Sequence, residues 1–207
     1  MNRLLLLIPL LLVLTGCQSI SNLWSSTFSR SAPADTAIDV SMLADYNLPN
    51  QPFANEAHDY GTPPVSSLVP PNYRAPTPVT LAGGVLIDTP ALHLRLTATD
   101  RPVVINTLPD ANPPMIPGST WLSGAGQNGN FNDAVQARLQ NHLETLTQGD
   151  RNRMLVFYAN DPEDWSAYNA ALRAVNMRYP NVRWYRGGLS AWHTAGLPSS
   201  NSPTDLW

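Results

Sequence analysis

Thiol chemistry is almost absent from this chain: a single cysteine, Cys17, stands among 207 residues. One thiol excludes an intrachain disulfide framework and any thiolate-rich zinc site. The four histidines (His58, His93, His142, His193) are far apart and lack the close spacing of a ligand pair, so no metal and no cofactor is expected. Charge is sparse as well. Only 13% of residues are charged, and 12 basic against 15 acidic residues leave a formal charge of −3. The positive residues are scattered rather than gathered in a stripe, which argues against nucleic acid as a partner. No apolar run approaches the roughly twenty residues of a spanning helix, and no internal repeat is present.

What is present begins at the amino terminus. Arg3 precedes an apolar run from Leu4 to Leu14, broken only by Pro9. Its length suits the hydrophobic region of an export signal. Leu14-Thr15-Gly16-Cys17 follows and resembles the bacterial lipobox. That resemblance implies a thioether lipid on Cys17, cleavage before it and acylation of the new amino terminus; the plainer alternative is a secretory signal that ends near a cysteine. Several acyl chains on one residue anchor a protein stably, because two membrane signals already suffice. Gln18, by likeness to other bacterial lipoproteins, favours the outer membrane of a Gram-negative cell. The expected partner on this side is therefore the membrane itself, with the protein facing the periplasm.

Gln18 to Thr80 contains nine of the 20 prolines and little periodicity. Proline removes amide donors and fixes φ, so most of this stretch is expected to be extended tether. Ile38 to Leu43 is an amphipathic island, and the part from about Tyr60 has the alternative of wrapping onto the domain. From Leu81 the pattern changes. A short helix over Pro90–Thr97 with Thr89 as N-cap leads to a buried strand, Val103-Val104-Ile105. Thr120-Trp121-Leu122 reads as another short strand, and Gly124 to Asn130 as a Gly/Asn loop. Phe131, Val135, Leu139, Leu143 and Leu146 recur at helical spacing, with Asn130 as N-cap and Gly149 as stop. A strand over Met154–Tyr158, a helix from about Trp165, a strand over Val182–Tyr185 and a terminal helix after Gly187-Gly188 complete the series. Alternating strands and helices predict an α/β fold: a short parallel sheet flanked by helices on both faces, in three layers.

Three motifs stand in order along that series: Ile116-Pro117-Gly118-Ser119, the strand–loop–helix unit around Tyr158 to Trp165, and Gly187-Gly188…Trp192…Pro198. Together they resemble a rhodanese domain, over roughly Tyr73 to Pro198. Tyr73-Arg74-Ala75-Pro76-Thr77-Pro78, Trp121-Leu122, Gly149-Asp150-Arg151, and Trp165 followed by Asn169-Ala170-Ala171 are more particular. They resemble the PQQ-dependent catabolism-associated CXXCW motif proteins, exported rhodanese-like proteins found with quinoprotein alcohol dehydrogenase systems. The resemblance implies a strand-to-helix loop opened by a sulfur-carrying cysteine. Ala159 stands at that position, and Asp164 stands where the second cysteine of the motif would be. The segments expected are thus a lipoprotein signal over 1–16, a tether over 17–72, a rhodanese-like domain over 73–200 and a tail over 201–207.

Sulfur transfer needs a thiolate nucleophile held by loop amides and a helix N-terminus. Ala159, Asn160, Asp161, Pro162, Glu163, Asp164 and Trp165 offer no thiol, and three carboxylates there repel anionic sulfur species. No catalytic residue is therefore assigned. Asp164 is the expected N-cap, a cation or basic-partner site is the sharper alternative, and general acid/base work by two carboxylates lacks a visible partner. Asn106 is read as a turn residue, and Trp165 as a side chain at the mouth of the former pocket. The function expected is that of a binding or accessory module with a periplasmic protein partner, its contact surface being the Asn160–Trp165 and Gly124–Asn130 loops. A divergent enzyme and a structural envelope lipoprotein are the alternatives. If Cys17 is the anchor, Cys17→Ser moves the protein out of the membrane fraction on cell fractionation; an unaltered membrane fraction contradicts lipidation.

Overall fold

The computed structural model describes residues 39–70, 73–201 and 203–207, so the expectations for Cys17 and the export signal lie outside the described residues. Among the described residues no helix is long and apolar enough to cross a membrane. The elements are β1 (Val85–Leu86), α1 (Thr89–Thr97), β2 (Val103–Asn106), β3 (Thr120–Trp121), α2 (Ala134–Thr147), β4 (Leu155–Tyr158), α3 (Trp165–Asn176), β5 (Val182–Tyr185) and α4 (Gly188–Thr194). The strands form one parallel sheet in the order β1-β5-β4-β2-β3. Leu155, Val156, Phe157 and Tyr158 of β4 are all fully buried, so both faces of the central strand are covered. This is why β4 reads as a continuous apolar run rather than an alternating one. The α/β expectation holds. β1 escaped it because two residues carry no period.

Register places the loops that matter. Asn106, Tyr158 and Tyr185 end adjacent strands side by side. The Tyr158 hydroxyl is buried there and accepts from the Ile116 amide at 3.0 Å, with Ser119 Oγ at 2.8 Å. The Ile116–Ser119 turn is thereby pinned to the end of β4, and burial pushes the phenol up to about 12. Asn106 is fully buried and accepts from the Leu108 amide at 2.8 Å, the turn role expected of it.

Three helices begin at aspartates. Asp88, Asp133 and Asp164 accept from the amides of Ala91, Gln136 and Ser166. The expected caps Thr89 and Asn130 are corrected accordingly. The Thr89 hydroxyl turns inward to Glu56 and Tyr185, while the Asn130 side chain accepts from Asn132 in a local turn. Phe131 consequently precedes α2, whose buried face carries Leu139 and Leu143. Gln148 in the left-handed conformation and Gly149 close that helix, Gly149 donating to Glu144.

Within the expected tether, residues 39–70 lie in the same compact unit as the sheet. Val40 and Leu43, on a 3₁₀ helix over Val40–Asp45, are buried in the core. Further along, Tyr168 Oη accepts from the Val65 amide and donates to its carbonyl, and the Asn169 amide does the same for Val69. Two side chains of α3 thus satisfy an extended backbone that has no sheet partner. Such docking leaves no periodic trace in sequence. The tail is ordered as well. Leu206 donates to Trp121, and Trp207 stacks on His142, whose pKa is lowered by burial and then by Arg138.

Arg173, fully buried on α3, donates from Nη1 and Nη2 to the two Asp133 oxygens at 2.9 Å, and also to the carbonyls of Gln127 and Asn130. It joins α3 to the cap of α2 and to the Gly/Asn loop. That guanidinium holds the Asp133 carboxyl down at about 2, against an ordinary 3.8. A depressed carboxyl stabilises the fold above its unfolded pKa and loses that contribution as pH falls through the folded one. Acid titration should therefore remove roughly 2 kcal/mol between about pH 4 and pH 2. In urea melts Asp133→Asn should lose both that stability and that part of the pH dependence.

Candidate functional site

The loop after β4 is closed by its own chain. Ala159, 2% exposed, follows Tyr158, and its carbonyl accepts from the Leu189 amide at 3.1 Å. The Asn160 carbonyl accepts from Ser190 at 2.8 Å. The first turn of α4 therefore lies against the loop backbone, and this explains the double glycine. Gly188 has φ +55, and a Cβ there would strike the Ala159 carbonyl oxygen. A Cβ on Gly187 would lie 2.6 Å from Glu56 Oε2. The motif marks two close approaches, one by the loop and one by the arm.

Three amides of the loop and the start of α3 are bonded internally. The Glu163 amide donates to Asp161 Oδ1 at 2.8 Å, the Asp164 amide to the Asp161 carbonyl at 3.1 Å, and the Ser166 amide to Asp164 Oδ1 at 2.9 Å. These donors would otherwise face an anion at the start of a helix. Two aspartates take their place as permanent internal anions. Asp164 is the N-cap expected, and Asn160 Nδ2 adds a bond to Asp161 at 3.0 Å.

The arm then covers the loop. Arg74 pairs in an antiparallel bridge with Asp164, and its Nη2 donates to both Asp161 oxygens at 3.1 and 2.8 Å. Glu163 and Asp164 each approach the same guanidinium at 4.0 Å. The bond to Asp161 raises the Arg74 pKa. With its side chain 49% exposed this ion pair contributes at most about 1 kcal/mol. Pro162 accepts from the Thr77 amide at 2.9 Å, and Trp165 Nε1 donates to Ala75 at 2.9 Å. Trp165 is therefore buried under the arm, packed edge-on against Tyr168, and not at a pocket mouth. Of the two readings, Asp164 capping is the one observed, and Arg74 of the same chain lies against the carboxylates.

Arg186 holds the arm in place. Its buried guanidinium donates to the carbonyls of Asn55, Glu56, His58 and Thr77 and to Thr77 Oγ1, at 2.9 to 3.1 Å. Burial lowers its pKa, opposed by Tyr60 and Asp59. Glu56 itself is 1% exposed and accepts from Phe53 and from the amide and hydroxyl of Thr89. Burial raises its pKa against those bonds. Neither Arg74, Arg186 nor Glu56 carries a signal for these roles in the sequence, because their partners are backbone atoms or lie across the fold.

A cleft of about 270 Å³ remains between arm and loop, bordered by Asn55, Tyr60, Asp161, Glu163 and Ser190. In the second expected contact loop, Gly126 lies against Ser166 and residues 127–130 are exposed, so the two loops meet beside α3. Among the described residues no group of three or more His, Cys, Asp or Glu is placed to hold a metal.

This α/β arrangement defines a protein class. Residues 110–195 match the family described as the Rhodanese-like domain. The match runs from β3 to α4, with β1, α1 and β2 preceding it. No curated protein matches the chain. Among solved structures, an EanB variant in complex with hercynine is similar at 16% identity and a TM-score of 0.44, over 57% of this chain and 32% of that one. The chain thus spans about a third of that protein's length.

Replacing the buried guanidinium of Arg186 by an apolar side chain strands its acceptors unless the arm detaches. Arg186→Leu should cost about 3 kcal/mol in denaturant melts. Amide exchange of residues 55–58 and 74–77 should rise while that of β4 stays protected; unchanged arm protection would show that Arg186 does not hold it.

Proposed function

We propose that this rhodanese-like domain transfers no sulfur and serves as a binding module, lipid-anchored through Cys17 on the periplasmic face of the membrane. The observation that carries the reading is the internal use of the loop donors: the Glu163, Asp164 and Ser166 amides are bonded to aspartate side chains and a loop carbonyl. A persulfide needs such donors free, and a thiolate needs them to lower its pKa. Arg74 and Thr77 cover the same loop. An accessory role beside a quinoprotein or cytochrome oxidoreductase system follows from the likeness to the CXXCW motif proteins. The proposed contact surface is the exposed part of the two loops, Glu163 and residues 127–130, with a periplasmic protein as partner.

Ala159→Cys separates a lost nucleophile from a closed site. The introduced thiol would be buried at the head of a loop carrying three carboxylates, so its pKa rises and its thiolate fraction falls. The variant should show no thiosulfate:cyanide transfer above wild type and form no cyanide-labile persulfide. Efficient turnover would show that the loop still supports sulfur chemistry and would overturn the non-catalytic reading.

A further inference from the structure

The opposite end of the sheet holds a second constellation. Val103, Leu155 and Val182 begin three adjacent strands in register. Arg101 and Arg153 each stand two residues before such a start, and Arg183 one residue after. Parallel pairing therefore gathers three arginines that are distant in sequence at one edge, and Arg95 joins them from the last turn of α1. Together with Asp100 and Asp150 they line a cleft of about 470 Å³. Four guanidiniums against two carboxylates leave an excess of two positive charges on a chain whose formal charge is −3. The carboxyl end of α1 adds only about half a negative charge there.

These arginines differ from most of the others described. Arg74 is ion-paired, Arg173 and Arg186 are buried and bonded, and Arg138 and Arg151 lie over the rings of Trp207 and Tyr179. Among the described residues none of Arg95, Arg101, Arg153 or Arg183 has a carboxylate within 4.0 Å, and the Asp150 carboxylate accepts instead from the Asn152 amide. Arg153 is held by a bond from Nη2 to the Arg101 carbonyl at 2.9 Å, and Arg183 by one to Val182 at 3.3 Å. The Nε of Arg153 is buried with no hydrogen-bond partner, the one such side-chain atom among the described residues. A stranded donor on a charged group costs about 1–3 kcal/mol and is relieved by an acceptor brought from outside.

We propose that this cleft binds a phosphate-bearing anion. Guanidinium forks match phosphate oxygens in pairs, and a group with two negative charges neutralises the local excess where a single carboxylate would not. The backbone-held Arg153 and Arg183 form the fixed floor of the site, and the exposed Arg95 and Arg101 close on the ligand. Two sources share this chemistry: a soluble phosphate ester and a phospholipid headgroup.

The test uses the full-length protein in non-ionic detergent, following arginine Nε–H resonances by NMR. Inorganic pyrophosphate should shift the Arg153 Nε–H signal saturably, and sodium chloride at matched ionic strength should not. Arg95→Gln with Arg101→Gln should raise the dissociation constant about tenfold. In that variant the Arg186 Nε–H and Trp165 indole signals should stay unmoved, showing the fold intact. Dihexanoyl phosphatidic acid, whose phosphomonoester carries up to two negative charges, separates the sources, with dihexanoyl phosphatidylcholine as control. Saturation by phosphatidic acid assigns a headgroup, and saturation by pyrophosphate alone assigns a soluble phosphate. Shifts reproduced by chloride, or an unchanged constant in the double variant, would overturn the site.

Discussion

A buried guanidinium, that of Arg186, organises the carboxyl edge of this sheet. An ionised group at 2% exposure persists only if its donors are bonded, and Arg186 meets that demand entirely with oxygens of the arm. Four of the five acceptor atoms are main-chain carbonyls, so the arm must lie close and in one conformation. Gly187 yields the space for Glu56 that follows, and Glu56 in turn bonds the start of α1. Core strand, arm and first helix are thus tied by one cation and one carboxylate that do not pair directly.

The same closure decides the chemistry of the loop after β4. An open strand-to-helix loop presents amides to an incoming anion. In this protein Asp161 and Asp164 occupy three of those amides, and Arg74 bonds Asp161 from above. The alanine at 159, the amides bonded within the loop and the covering by the arm are three independent features that point in one direction. Agreement among them is a stronger argument than the alanine alone, since any one could arise by drift.

The two ends of the sheet consequently carry opposite characters. At the carboxyl edge three loop carboxylates share the Arg74 guanidinium and the backbone is covered. At the amino edge four guanidiniums stand without carboxylate partners, one with a stranded donor. Fold class alone gives no warning of such a contrast.

By itself the sequence determined the elements and the chemistry they lack. β4 was legible because a strand buried on both faces must be continuously apolar, and α3 because Asp164 caps a run with helical spacing. The lack of a thiol in the loop after β4 was legible from the residues alone. Helix starts were misplaced where a neighbouring aspartate competes with Thr89 or Asn130, a choice set by which side chain faces the amides. The arm was misread as tether because its order depends on Tyr168, Asn169 and Arg186, which bond its backbone from across the fold. Only the tertiary structure could decide those contacts, since a carbonyl has no identity in the sequence. It alone gathered the arginines at the amino edge, because strand register brings together residues whose separation along the chain hides their proximity.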